Sequence, residues 1–348
     1  MGFLGKLFGG SGKKSSASAP QQQAPVRNSS SSDSAPDMPM PGAAPQPEQP
    51  QSAFIGQHFE GLGDVWKAFF KEGTQEFVNN FPTLFEKCAP AGPAMHLKDG
   101  TVIVRMDYPV SGGIGIHSHI RIMGDNKEAD FIGGYPYLEG APAKLALDQA
   151  HIWSNNVCGT VAVHSPELNL PFSLFLSGFF QQVPRIQFGG ELEFSLAGLA
   201  LGFEKQVQTE FCPEKGTELY NEIQQMFLAA NPDQEASDFE PPVLSSRGRG
   251  ILMPSEFVSL WQYQVPVLEK EKVEFLGQTF LRIKTIFGGH QDANIPGILY
   301  VAEHVYGDYE PEIGDDVTGV LWLQGGLDGY PEYPTHPQAA PAEGEAQA

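Results

Sequence analysis

GDYEPEIGDDVTGVLWLQGG, residues 307–326, sets a carboxylate-rich turn directly against an apolar run. Proline fixes φ, and glycine and aspartate tolerate unusual dihedrals, so Glu310-Pro311-Glu312 and Gly314-Asp315-Asp316 predict a tight, solvated turn. Val317 to Leu323 then predicts a strand, with Val320 and Trp322 on one face and Leu321 and Leu323 on the other. Apolar side chains on both faces imply a strand covered on both sides. The carboxylates do not follow the order of an EF-hand loop, so a charged turn explains them better than calcium does.

Upstream, four further strand signals share a C-terminal module with this one. Phe257–Val267 is the first. Lys272–Leu276 and Thr279–Phe287 suggest a hairpin across Gly277-Gln278, with glycine leading a type II′ turn. Ile298–Val305 is the fourth. Five strands within 255–329 predict a small barrel or sheet, with an OB-like barrel as one topology. Residues 231–254 are polar, acidic and proline-rich and suggest a linker.

Residues 53–230 predict a helix plus β-rich domain. Leu62, Val65, Trp66, Phe69, Phe70, Phe77, Val78 and Phe81 keep helical spacing, with a break at Gly73 and an end or kink at Pro82. Thr101–Asp107, Gly115–Met123, Val157–His164, Phe172–Phe180 and Glu191–Leu196 read as strands. Beyond Leu196 the apolar phase flips across Gly198, which suggests a bulge or a passage into helix. Thr217 caps a helix carrying Leu219, Tyr220, Ile223, Met226 and Phe227, stopped by Asn231-Pro232. Phe172, Phe175, Phe179 and Phe180 crowd a nearly uncharged segment better suited to burial than to solvent. The fold class expected is α+β, mostly antiparallel β with a few amphipathic helices.

The ends read differently. Residues 1–52 are low in complexity, rich in Ser, Ala, Pro and Gln, and predict a disordered arm. Its first residues hold Phe3, Leu4, Leu7 and Phe8, a short amphipathic peptide suited to weak peripheral contact with a membrane or to partner docking. Residues 330–348 predict a disordered tail.

Charge narrows the partners. The chain holds 21 basic and 42 acidic residues. Residues 1–52 take only four bases and three acids, which leaves 17 basic and 39 acidic residues beyond them, a net of −22. That surface repels phosphate backbones, so nucleic acid is not an expected partner. No stretch has the apolar length of a transmembrane helix. Cys88, Cys158 and Cys212 are odd in number, widely spaced and without a CxxC pair, which fits reduced thiols in a cytoplasmic protein.

Chemistry-bearing motifs are few. His117-Ser118-His119 lies within an expected strand, so both imidazoles share one face and could converge on zinc, with Cys158 or His164 as a third ligand. The plainer alternative puts both histidines on the wet face of that strand. No glycine cluster carries a phosphate-loop pattern, and no GxSxG accompanies the serines. Trp322 and Gln324 are candidate ligand contacts at the mouth of the C-terminal module. Three functions follow in order. The first is a non-catalytic protein-binding or scaffolding protein with an acidic surface, acting on a protein partner or as a homo-oligomer. The second is a metal-dependent enzyme built on the His117/His119 strand. The third is small-ligand binding in the C-terminal module.

Overall fold

The computed structural model describes residues 54–56 and 64–327, apart from 124–127 and positions 154, 156, 177, 187, 256 and 291. The expected arm, with Phe3, Leu4, Leu7 and Phe8, and the expected tail lie outside the described residues. The fold is mostly β and largely antiparallel, as the alternating segments predict.

Two sheets dominate. β2 (Ala89–His96), β3 (Val102–Ser111), β4 (Ile114–Met123) and β5 (Glu128–Leu138) form an antiparallel four-stranded sheet in chain order. The second sheet is built on β6 (Ala141–Ile152), β7 (Gly159–Ser165), β8 (Leu170–Leu176) and β9 (Glu191–Ala200). These pair as β8–β7–β6–β9, and β1 (Phe54–Gly56) adds a parallel pairing to β6. A late strand, β18 (Asp316–Leu327), then reaches β8 through Gln324 and β9 through Leu323–Leu327. The result is a closed five-stranded barrel.

Strands branch from the barrel on both sides. The first half of β18 pairs with β14 (Leu260–Pro266), which carries β13 (Ile251–Pro254), and with β10 (Glu204–Lys205). β9 carries β17 (Ala293–Ala302), then β16 (Gln278–His290) and β15 (Glu269–Phe275). β11 (Glu210–Phe211) and β12 (Leu244–Ser245) form a separate two-stranded ribbon. The described residues belong to one compact unit.

The barrel expected within 255–329 is therefore corrected in its membership. Four of its strands come from 141–200 and only β18 from the C-terminal stretch. Hydrophobic alternation marks a strand but carries no information about its distant partner. Local turn chemistry is corrected too. The hairpin loop is Leu276-Gly277, with φ of 53° and 75°, and Phe275 pairs with Gln278. Two positive φ values define a type I′ geometry rather than the expected II′. β9 runs straight through Gly198, because its two faces line two different cores. The strand expected over Phe172–Phe180 stops at Leu176, and α2 (Phe179–Gln182) follows.

One core fills the barrel, drawing Leu145, Val161, Leu174, Phe194, Leu321 and Leu323 from inward-facing positions. The other packs on both faces of the four-stranded sheet and against the barrel wall. It takes Ile103, Ile114 and Ile116 from that sheet and Phe175, Leu199 and Trp322 from the barrel. The expected helix over 62–81 is split at Gly73 into a 3₁₀ turn, Val65–Ala68, and α1 (Thr74–Phe85), which continues past Pro82. Trp66 stacks on Phe77 with centroids 4.0 Å apart, and Phe81 meets Phe131 at 4.3 Å. Aromatic pairs of this kind each contribute about 0.5–1.5 kcal/mol beyond the area they bury.

Candidate functional site

The second core contains a polar cluster where a purely apolar one would suffice. On β3 and β4, cross-strand register sets Arg105 opposite His119 and Asp107 opposite His117, while His117 faces Tyr135 on β5. Directly paired residues share a sheet face, so these side chains point the same way. Arg105, Asp107, His117 and His119 are between 0% and 4% exposed. The expectation of histidines on a wet strand face is thus corrected: a second layer covers them.

Within the cluster, Arg105 Nε lies 2.9 Å from Asp107 Oδ1, and His117 Nε2 lies 3.6 Å from Asp107 Oδ2. The His117 ring stacks on Tyr137 at 4.7 Å. Across the layer, Tyr135 sits 6.2 Å from the His119 ring and 6.5 Å from Trp322 by ring centroids. Asn155 Nδ2 donates to the Tyr135 hydroxyl at 3.1 Å, and its Oδ1 accepts from the amides of Val157 and Cys158.

Burial dominates the electrostatics. It pushes the Asp107 carboxyl up to about 6, against the pull of Arg105. It holds His117 well below the usual imidazole range, assisted by the nearby guanidinium and by His119. His119 falls to about 3 for the same first two reasons. Both imidazoles are therefore neutral at neutral pH. Neutral imidazole can ligate zinc. Burial pushes the Cys158 thiol up to about 12. His164 stands at the surface with Nδ1 2.9 Å from Asp148 Oδ1. Among the described residues no three His, Cys, Asp or Glu side chains group to hold a metal ion.

Trp322 and Gln324 alternate on β18 and are themselves buried, at 0% and 6% exposure. Trp322 reaches the histidine layer through Tyr135, which touches both. Trp322 Nε1, Gln324 Nε2 and both ring nitrogens of His119 have no hydrogen-bond partner among the described residues. The spacing Arg105-x-Asp107 inside an apolar strand was the available signal for the rest of the cluster, since two opposite charges on one strand face pair readily. Tyr135 and Asn155 left no such mark.

A second candidate is exposed. Between β10 and β13 the chain leaves the large sheet and forms the β11–β12 ribbon and α3 (Glu218–Ala230). Residues 206–246 hold eight acidic side chains and one basic one, Lys215. Thr217 caps α3 as its sequence predicts, its hydroxyl accepting from the Tyr220 amide at 3.3 Å. Tyr220 and Phe227 close one face of α3 onto Phe239. Beside that face, Leu219, Ile223 and Met226 form a stripe at i, i+4, i+7 spacing. Leu219 is 40% exposed and Met226 64% exposed, and Glu218 and Glu222 border them.

The acidic turn at 309–316 is satisfied internally. Asp315 Oδ2 accepts from Tyr309 and from the Glu312 amide, while Lys205 pairs with Asp315 at 2.7 Å and Lys272 with Glu310 at 2.7 Å. No helix among the described residues is long and apolar enough to cross a membrane. Comparisons with protein-family models, curated proteins and solved structures give no match to this chain.

Proposed function

We propose that this chain is a non-catalytic binding protein, and that α3 with its acidic surroundings docks a basic, apolar segment of a partner protein. The observation that carries this reading is the Leu219–Ile223–Met226 stripe, presented to solvent between a packed face and a carboxylate face. Single exposed apolar residues are ordinary, but a helical stripe of three with an acidic border has the layout of an amphipathic recognition helix. Charge complementarity selects the occupant. Eight carboxylates against one lysine attract a Lys/Arg-bearing segment and repel acidic ones. The buried His117/His119 cluster fits a supporting role in this reading, since both rings are covered by the barrel wall.

Titrating a labelled model peptide of leucines and lysines in helical register tests the idea by fluorescence anisotropy. Binding is expected to weaken roughly tenfold or more in L219S/M226S and in E218K/E222K, and to fall with added salt. Equal binding by wild type and both double variants would sink the reading. A dimer in sedimentation that L219S/M226S disperses would replace the foreign partner with a second copy of this chain.

A further inference from the structure

The loop Arg247-Gly248-Arg249-Gly250 is the basic exception in an acidic chain, and it borders a cavity of 490 Å³. Arg247 and His290 line this cavity together with Asn294 and the apolar Val267, Leu268 and Ile286. No carboxylate is among its described lining residues, although acids outnumber bases two to one along the chain. Neither Arg247 nor Arg249 makes an ion pair among the described residues. The volume lies within the range of about 300–1,000 Å³ usual for small-molecule sites.

The loop is fixed in place. Gln264 Nε2 donates to the Ser246 carbonyl and hydroxyl, both at 2.9 Å, and the Ser246 amide donates to the Thr209 carbonyl. The Gly248 amide donates to both Asp316 carboxylate oxygens, at 3.0 and 3.2 Å, and the Gly250 amide donates to the Gly289 carbonyl at 3.0 Å. Asp316 feels the charge of Arg247. It is 5% exposed and committed to the Gly248 amide from behind the loop. A Cβ added at Gly248 would lie 4.0 Å from His290 Nε2, so the imidazole stands near the loop across the cavity. Val267 and Ile286, 0% and 6% exposed, form the apolar wall.

We infer that this cavity binds a small organic anion, a carboxylate on a compact apolar body. Arg247 holds the anionic head, His290 and Asn294 contribute polar contacts, and Val267, Leu268 and Ile286 receive the body. A guanidinium suits a carboxylate because its planar fork offers paired donors. The anchored loop presents it with little conformational cost on binding. The site is independent of the α3 surface, and no residue is shared between the two tests.

Benzoate is the probe, with benzamide as its uncharged isostere and acetate as the head alone, followed by ligand-observed NMR and calorimetry on the full chain. Benzoate is expected to saturate with Kd of ~1 mM or tighter, while benzamide and acetate bind at least tenfold more weakly. R247Q changes an exposed side chain and is expected to weaken benzoate roughly tenfold without altering thermal stability. L268S should weaken benzoate and leave acetate unchanged. The inference is overturned if benzoate fails to saturate by about 10 mM, if benzamide binds equally well, or if R247Q binds benzoate like wild type.

Discussion

Arg105 and His119 stand directly opposite each other in the β3–β4 ladder, a guanidinium beside an imidazole with no hydrogen-bond partner among the described residues, both sealed from solvent. The two differ in what their removal exposes. Arg105 compensates buried Asp107, whereas His119 compensates nothing. Replacing Arg105 with Met leaves the buried Asp107 carboxylate with only the neutral His117 imidazole beside it, and is expected to cost about 3–5 kcal/mol at pH 7.5. R105M/D107L should recover most of that loss. His119→Phe substitutes an apolar ring for an unsatisfied one and is expected to be near neutral or stabilising, within about 1 kcal/mol. Urea unfolding of the four proteins checks the contrast.

The same cluster sets an acid limb. His119 titrates near 3 in the fold and near 6.5 by its ordinary value. Its folded-state pKa is depressed, so the unfolded chain takes up the proton first, and stability is lost as pH falls below 6.5. His117 is shifted in the same direction. Asp107 opposes them: raised from 3.8 to about 6, it favours the fold when protonated, a contribution lost as pH rises through 6. Two imidazoles against one carboxyl leave a net slope on the order of 1.4 kcal/mol per pH unit between 4.5 and 6. Removing one imidazole in H119F is expected to flatten that slope toward zero, read from unfolding midpoints across the window.

Thiol reactivity should divide the cysteines sharply. Burial pushes Cys88 and Cys158 each up to about 12, while Cys212 is exposed. Thiolate is the reactive species, so native protein at pH 8 should show one fast thiol with a disulfide reagent such as dithionitrobenzoate, and three after denaturation. C212S should abolish the fast phase. A fast thiol remaining in that variant would come from Cys88 or Cys158 and contradict their burial.

Steric limits on the β16–β17 pairing are equally testable. A Cβ at Gly297 would collide with the ring of Phe287, itself fully buried in the barrel core cluster. G297A is expected to destabilise by about 1–3 kcal/mol through overpacking. Pairing it with F287L, which frees volume at the ring edge, should give back part of the loss. Thermal melts of the single and double variants measure the coupling.

Much of the strand inventory was legible because burial on one face imposes a period of two, as at β3. The Thr217 cap was legible because capping is local chemistry. Barrel membership was not, since nothing in DVTGVLWLQGGL names β8 and β9 as its neighbours. Of the sites, His117, His119, Trp322 and Gln324 could be singled out by residue type, but not their shared layer, which depends on Tyr135 lying between two sheets. The Arg247 loop read as linker because the cavity it borders exists only in three dimensions.

The placement of β18 also fixes when this molecule can exist. Four staves of the barrel are complete by Ala200, yet their closing neighbour begins at Asp316, so a ribosome must add roughly a hundred further residues first. At typical elongation speeds that interval lasts on the order of ten seconds. Throughout it, part of β8 and of β9 waits with unpaired backbone, the condition under which strands seek foreign company. Chains cut short before residue 316 should therefore accumulate as aggregates rather than as smaller folded units.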